Sequence, residues 1–115
     1  MKIRNISDIL KLDCGGLDFS SNSTPYLIKE LERDYWRYDY LGDKMAKSGA
    51  EEFKEIMTCI CETEVDFGKY KGSKIGELPD DYVNWMFWQL ALKTDNMWWR
   101  DVGRLVIKYC KEFLE

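Results

Sequence analysis

The stretch Val65–Gln89, VDFGKYKGSKIGELPDDYVNWMFWQ, carries an ordered grammar and decides the fold. Val65-Asp66-Phe67 predicts a short strand. Gly68-Lys69-Tyr70-Lys71-Gly72 sets small and basic residues around one aromatic, which predicts a tight β-hairpin with two flexible backbone positions. Leu78-Pro79-Asp80-Asp81 then opens a helix. Its proline falls where a missing N–H costs least, and two carboxylates occupy the first turn, where the helix dipole favours negative charge. Tyr82, Trp85, Met86 and Gln89 share one helical face beside Phe87, Trp88 and Leu90, so this helix has almost no polar side. It is expected to be the buried centre, with Trp85 largely enclosed.

Working outward, the 115-residue chain is 45% hydrophobic and 15% aromatic, enough for one domain with a bulky core over 1–115. No apolar run approaches a membrane span and Met1-Lys2-Ile3-Arg4-Asn5 leads into no signal-peptide core, so no membrane association and a cytoplasmic location are expected. Cys14, Cys59, Cys61 and Cys110 are not arranged in CxxC units and the chain has no histidine, which predicts buried free thiols rather than a metal site. Glu62, Glu64 and Asp66 alternate along an extended segment. Such acids can hold a metal, but no partner carboxylate or general base is identifiable, so solvated acids are the expectation.

Four further elements frame the motif. Ile6–Leu12 reads as a short helix that Ser7 could cap, followed by a loop in which Gly15-Gly16 is a structural turn and Leu17 and Phe19 are anchors. Thr24-Pro25 opens a long helix with Thr24 as N-cap. Leu27, Leu31, Tyr35, Tyr38, Leu41 and Met45 form its packed stripe, widened by Ile28 and Trp36, and Lys29, Glu30, Arg33 and Arg37 lie on its wet side. Ser48 and Glu51 have capping-box spacing for a helix whose apolar face is Phe53, Ile56, Met57 and Ile60. Thr94-Asp95-Asn96 supplies a cap for a last helix, about 97–113. There Trp98, Val102, Leu105, Val106, Tyr109 and Phe113 form the apolar arc, and Arg100, Arg104, Lys108 and Lys111 the opposite one. The predicted fold class is α+β: a helix-rich single domain of about four helices plus one small β-hairpin.

Phe67-Gly68-Lys69-Tyr70-Lys71-Gly72, Ile75, Glu77-Leu78-Pro79-Asp80-Asp81-Tyr82 and Trp85 together resemble the FGKYKG…LPxDYxxW signature of the DUF3820 family, named as quorum-sensing-regulated virulence factors. That family is similar to the C-terminal domain of exodeoxyribonuclease X-like proteins. The resemblance implies a compact domain found beside nucleic-acid-processing enzymes and in small phage and bacterial proteins. It brings no active site and no cofactor, and the accompanying nuclease domain has no counterpart here.

Two functions compete. The net charge of −4 hides a basic segment at 65–75, with three lysines against Asp66. A non-catalytic nucleic-acid-associated accessory module would use Lys69, Lys71 and Lys74 with Arg100, Arg104, Lys108 and Lys111 for phosphates and Tyr70 for stacking. It would hold DNA or RNA weakly and salt-sensitively. The alternative is a small acidic phage-type interaction module that binds and inhibits a host defence or nucleic-acid-processing protein through its basic groove, with Trp36 and Tyr40 as contact rings. No phosphate loop and no nucleophile with a base is present, so an enzyme is not expected.

Overall fold

The four apolar patterns fold into four α-helices in a computed structural model that describes residues 1–114: α1 (Thr24–Leu41), α2 (Lys47–Glu62), α3 (Asp80–Thr94) and α4 (Trp98–Phe113). Four two-residue strands accompany them: β1 (Lys2–Ile3), β2 (Asp13–Cys14), β3 (Leu17–Asp18) and β4 (Glu64–Val65). The class is the expected helix-rich α+β domain. Helix α1 packs along α2 and α3 along α4, and α4 also touches α1 and α2. The centre of the fold is therefore α4. Helix α3, expected there, leans on α4 and on the 3-10 helix Ile6–Lys11.

The expected reversal at 65–75 forms, closed by an antiparallel bridge Glu64↔Lys74, and a second antiparallel hairpin, not expected, accompanies it. This second hairpin lies at β2–β3, where Gly15 and Gly16 both take positive φ, 60° and 75°, as a two-residue hairpin turn of this hand requires. A Cβ on Gly15 would stand 2.7 Å from Ile56 Cγ1, so the turn is also a close approach to α2. Within the reversal at 65–75, Gly72 N–H donates to the Val65 carbonyl at 2.7 Å and Val65 N–H to that of Ser73 at 2.8 Å. Its tip coils into a 3-10 turn, Gly68–Tyr70, with Phe67 as the extended residue before it. Strand β4 takes a partner distant in sequence, pairing parallel with β1 in the register Lys2↔Glu64 and Ile3↔Val65.

Aromatic rings fill the space between α1, α2 and α4. Tyr35, Phe53 and Tyr109 meet edge to face at 5.1–5.5 Å, or tilted for Tyr35 and Phe53, and Phe113 stacks on Tyr109 at 5.9 Å. The two tyrosine hydroxyls are bonded reciprocally between α1 and α4. Tyr35 of α1 donates to Glu112 of α4, and Tyr109 of α4 donates to Glu32 of α1, both at 2.7 Å. These reciprocal bonds satisfy two polar groups that burial would otherwise penalise. Between α3 and α4, Gly103 faces Phe87 so closely that a Cβ there would lie 2.6 Å from Phe87 Cβ.

The cysteines do not stand as free thiols. Cys14 is bonded to Cys59 and Cys61 to Cys110, across Cα separations of 5.8 and 6.0 Å. Residues two apart on a helix point to roughly opposite sides. Cys59 and Cys61 can thus fasten the end of α2 to the β2–β3 hairpin on one side and to α4 on the other.

Several cap assignments shift. Ser23 precedes α1, and Thr24, inside the first turn, donates its hydroxyl to the Asp18 carbonyl. Helix α2 starts at Lys47, ahead of Ser48, after a 3-10 turn Lys44–Ala46 whose Met45 N–H is capped by Asp43 at 3.0 Å. Asn5, not Ser7, caps the first 3-10 helix. Gly42, at φ 73°, ends α1 and leaves Leu41 and Met45 exposed; Leu27 also faces outward. Lys29 keeps a partly exposed side chain, and its ammonium lies 2.9 Å from Asp101 of α4.

Candidate functional site: an aromatic and arginine groove between α3 and α4

A helix apolar all round can bury only as much of itself as its neighbours cover. Helix α3 buries Val83, Met86, Phe87, Leu90 and Ala91. The face at positions 81, 84, 85 and 88, spaced i, i+3, i+4, i+7, is left outside. Trp85 is 45% exposed and Trp88 38% exposed, which corrects the expectation of an enclosed Trp85. The same exchange occurs at the start of α4, where Trp99 is buried against Phe19 and Trp98 is outside, stacked on Tyr26 at 4.8 Å. Both tryptophans fit the spacing of the apolar arc, and the position of Phe19 selects between them.

Between α3 and α4 lies an open groove of about 450 Å³ lined by Asp81, Asn84, Trp85, Trp88, Arg100 and Arg104. The Arg100 guanidinium stands over the Trp88 ring at 5.8 Å, and its Nε is buried with no hydrogen-bond acceptor among the described residues. Arg104 reaches Asp101 at 3.5 Å through a largely exposed side chain, a contact worth well under about 1 kcal/mol and easily exchanged for a ligand. Among the lining residues two guanidinium groups thus face one carboxylate.

The Gly68–Tyr70 turn extends the groove. Tyr70 meets Tyr82 at 4.6 Å, Tyr82 meets Trp85 at 5.3 Å, and the Lys69 ammonium stands 5.5 Å from the Tyr70 ring. Gly68, at φ 67°, lets the Tyr82 hydroxyl come within 3.2 Å of where a Cβ would be. The Gly, Tyr, Tyr and Trp positions of the sequence motif therefore form one surface: a ribbon of rings leading from the turn into the groove.

The predicted phosphate residues divide. Arg100 and Arg104 line the groove, but Lys108 turns to Glu32 at 3.5 Å and Lys111 lines a separate depression near Ile75–Leu78. Lys69 is exposed at the turn, Lys71 is exposed but within 3.8 Å of Asp66, and Lys74, also exposed, donates its backbone N–H to Glu77 Oε1 at 2.9 Å. Tyr70 is half-buried against Tyr82 rather than projecting freely. Trp36 and Tyr40 are exposed on α1, which contributes nothing to the groove. The three acids of the extended segment separate: Glu62 ends α2, Glu64 lies 3.3 Å from Lys2, and Asp66 faces Lys71. No group of three or more potential metal ligands occurs among the described residues.

Sequence reasoning missed Trp85, Trp88, Asp81 and Asn84 as surface residues. The available signal was the excess itself, because five tryptophans in 115 residues exceed what one small core needs.

The fold and groove thus define a small helix-rich α+β domain with a solvent-facing aromatic surface. Residues 53–89, about a third of the chain, match the family model described as "Putative quorum-sensing-regulated virulence factor". The matched span runs from the middle of α2 through the Gly68–Tyr70 turn to Gln89 of α3, and so contains the ring ribbon. No curated protein and no solved structure matches the chain, and similarity to exodeoxyribonuclease X-like C-terminal domains is not part of the finding.

Proposed function

We propose that this protein is a non-catalytic nucleic-acid-associated accessory module of phage or bacterial origin. The observation that supports the reading is the Arg100 guanidinium over Trp88 in a groove that Arg104 also lines, with Lys69 at the far end of the ring ribbon. Cationic groups beside exposed aromatic faces suit a ligand that is both anionic and flat. The net charge of −4 supplies no long-range attraction, so binding is weak and falls steeply with salt. Cytoplasmic residence and closed disulfides are in tension, because cytosolic reductants keep thiols open. The reading holds in either state, since neither cystine lines the groove.

The test is fluorescence anisotropy with labelled DNA and RNA across a salt series. Arg104→Ala and Lys69→Ala should each weaken binding and lower the slope of log affinity against log salt by roughly one. Absence of binding by the parent protein at low salt would overturn the reading.

A second reading has its own observation. Trp36, Tyr40 and Leu41 are 49%, 56% and 62% exposed near the end of α1, in the acidic half of the chain. Such a surface suits docking on a host defence or nucleic-acid-processing protein with a basic groove. Capture of a defined host protein that survives nuclease treatment and is lost in Trp36→Ala would favour it.

A further inference from the structure

We infer that the α3–α4 groove is a single-strand subsite that takes unpaired bases by stacking and discriminates against duplex of the same sequence. The inference rests on the nucleic-acid reading and adds to it the form of nucleic acid and the residues that select it.

Charge alone gives this surface little to work with. The groove brings two guanidinium groups against Asp81 on a chain with net charge −4, so a ligand offering only phosphates gains a few short, screened contacts. The distinctive feature is accessible ring surface. Trp85 and Trp88 keep a large part of their surface in solvent, and the Arg100 guanidinium stands over the Trp88 ring. A duplex keeps its base faces within the helical stack and cannot use those rings, whereas an unpaired base can lie on them. Phosphate contact favours the more densely charged duplex, so a preference for the single strand comes from stacking.

The groove also has direction. Asp81 belongs to the first turn of α3 and repels phosphate, while Arg100 and Arg104 come from α4. A strand therefore places its backbone along the arginines and turns its bases toward α3. There Asn84 offers an amide that can both donate and accept at a base edge. The volume, about 450 Å³, lies in the range of sites for one small ligand, which sets the subsite at one or two nucleotides. The rings of Tyr82 and Tyr70 continue the same surface toward Lys69.

The experiment compares three ligands of equal length: a single-stranded oligonucleotide, that strand annealed to its complement, and an abasic strand of the same backbone charge. Anisotropy and quenching of intrinsic tryptophan fluorescence are read at low salt. The single strand should bind at least about tenfold more tightly than the other two. Trp88→Ala and Trp85→Ala should each lose roughly tenfold for the single strand, with far-ultraviolet circular dichroism unchanged. Trp98→Ala, on an exposed ring outside the groove, should bind as the parent does, and Trp88→Phe should recover part of the loss. Equal binding of the abasic strand or the duplex overturns the stacking inference and leaves the nucleic-acid reading standing. Failure of all three ligands to bind overturns both.

Discussion

The Tyr70 ring meets Tyr82 nearly edge-on, with centroids 4.6 Å apart and planes at 70°, so the tip of the Gly68–Gly72 segment is pinned to α3. A freely projecting tip would lose Tyr70 without structural cost, whereas a pinned one would not. Tyr70→Ala is expected to cost about 1–2 kcal/mol, combining an aromatic pair with the burial of half a ring. Gly68→Ala should also destabilise, because φ is 67° there and the added Cβ would press on the Tyr82 hydroxyl at 3.2 Å. Urea denaturation measures both, and a tip variant as stable as the parent would contradict the pinned geometry.

Trp85 and Trp99 give opposite expectations from the same substitution. Trp99 is 1% exposed and packs on Phe19, so Trp99→Ala should cost about 3–5 kcal/mol. Trp85→Ala, on an open face, should cost about 1 kcal/mol or less. Equal losses in the two melting curves would show that α3 is enclosed after all.

Gly103 is held small by Phe87 across the α3–α4 contact. Alanine would gain helix propensity of about 1 kcal/mol at this position. Overpacking against Phe87 Cβ should exceed that gain, for a net loss of about 1–2 kcal/mol. Gly103→Ala is therefore expected to lower the melting temperature, and an increase would show that α4 can move away from α3 cheaply.

The two disulfides close long loops, between residues 45 and 49 positions apart. Opening either should cost about 2–4 kcal/mol, chiefly by freeing the unfolded chain. Thiol titration of the denatured, unreduced protein should find no reactive cysteine, and reductant should lower the melting temperature substantially. Four titratable thiols, or a melt indifferent to reductant, would contradict the closed state.

Alkaline pH should act through Tyr35 and Tyr109. Burial, and then hydrogen bonds to Glu112 and Glu32 respectively, push both hydroxyls well above the ordinary tyrosine value. An unfolded tyrosine ionises near pH ~10, so above that value the folded state holds more protons than the unfolded one. Stability is then fully present below pH ~10 and falls as pH rises beyond it. Melting curves through this range should show a decline that is shallower in Tyr35→Phe. Ionisation of both tyrosines near pH ~10 in the folded protein, read by tyrosinate absorbance, would contradict these two hydrogen bonds.

The sequence by itself determined the elements and much of their chemistry. Period-3.6 stripes located four helices, and Phe53, Ile56, Met57 and Ile60 are all fully buried where α2 was expected to pack. The Gly15-Gly16 turn and the cap at Asn96, whose Oδ1 accepts Trp98 N–H at 3.1 Å, were legible because both are set by residues adjacent in the chain. Tertiary structure alone decided which face of α3 is covered, which of Trp98 and Trp99 turns inward, which cysteines meet and that β4 pairs with β1. Each of these depends on how elements pack rather than on local pattern: α4 folds back on α3 across a short turn, while Phe19 for Trp99, Cys110 for Cys61 and Lys2–Ile3 for Glu64–Val65 are partners far away in sequence. The groove belongs to this second group. A helix with rings on several sides shows no single apolar stripe, and the packing of α3 on α4, where Gly103 meets Phe87, and on the Ile6–Lys11 helix leaves Trp85 and Trp88 as the rings facing solvent.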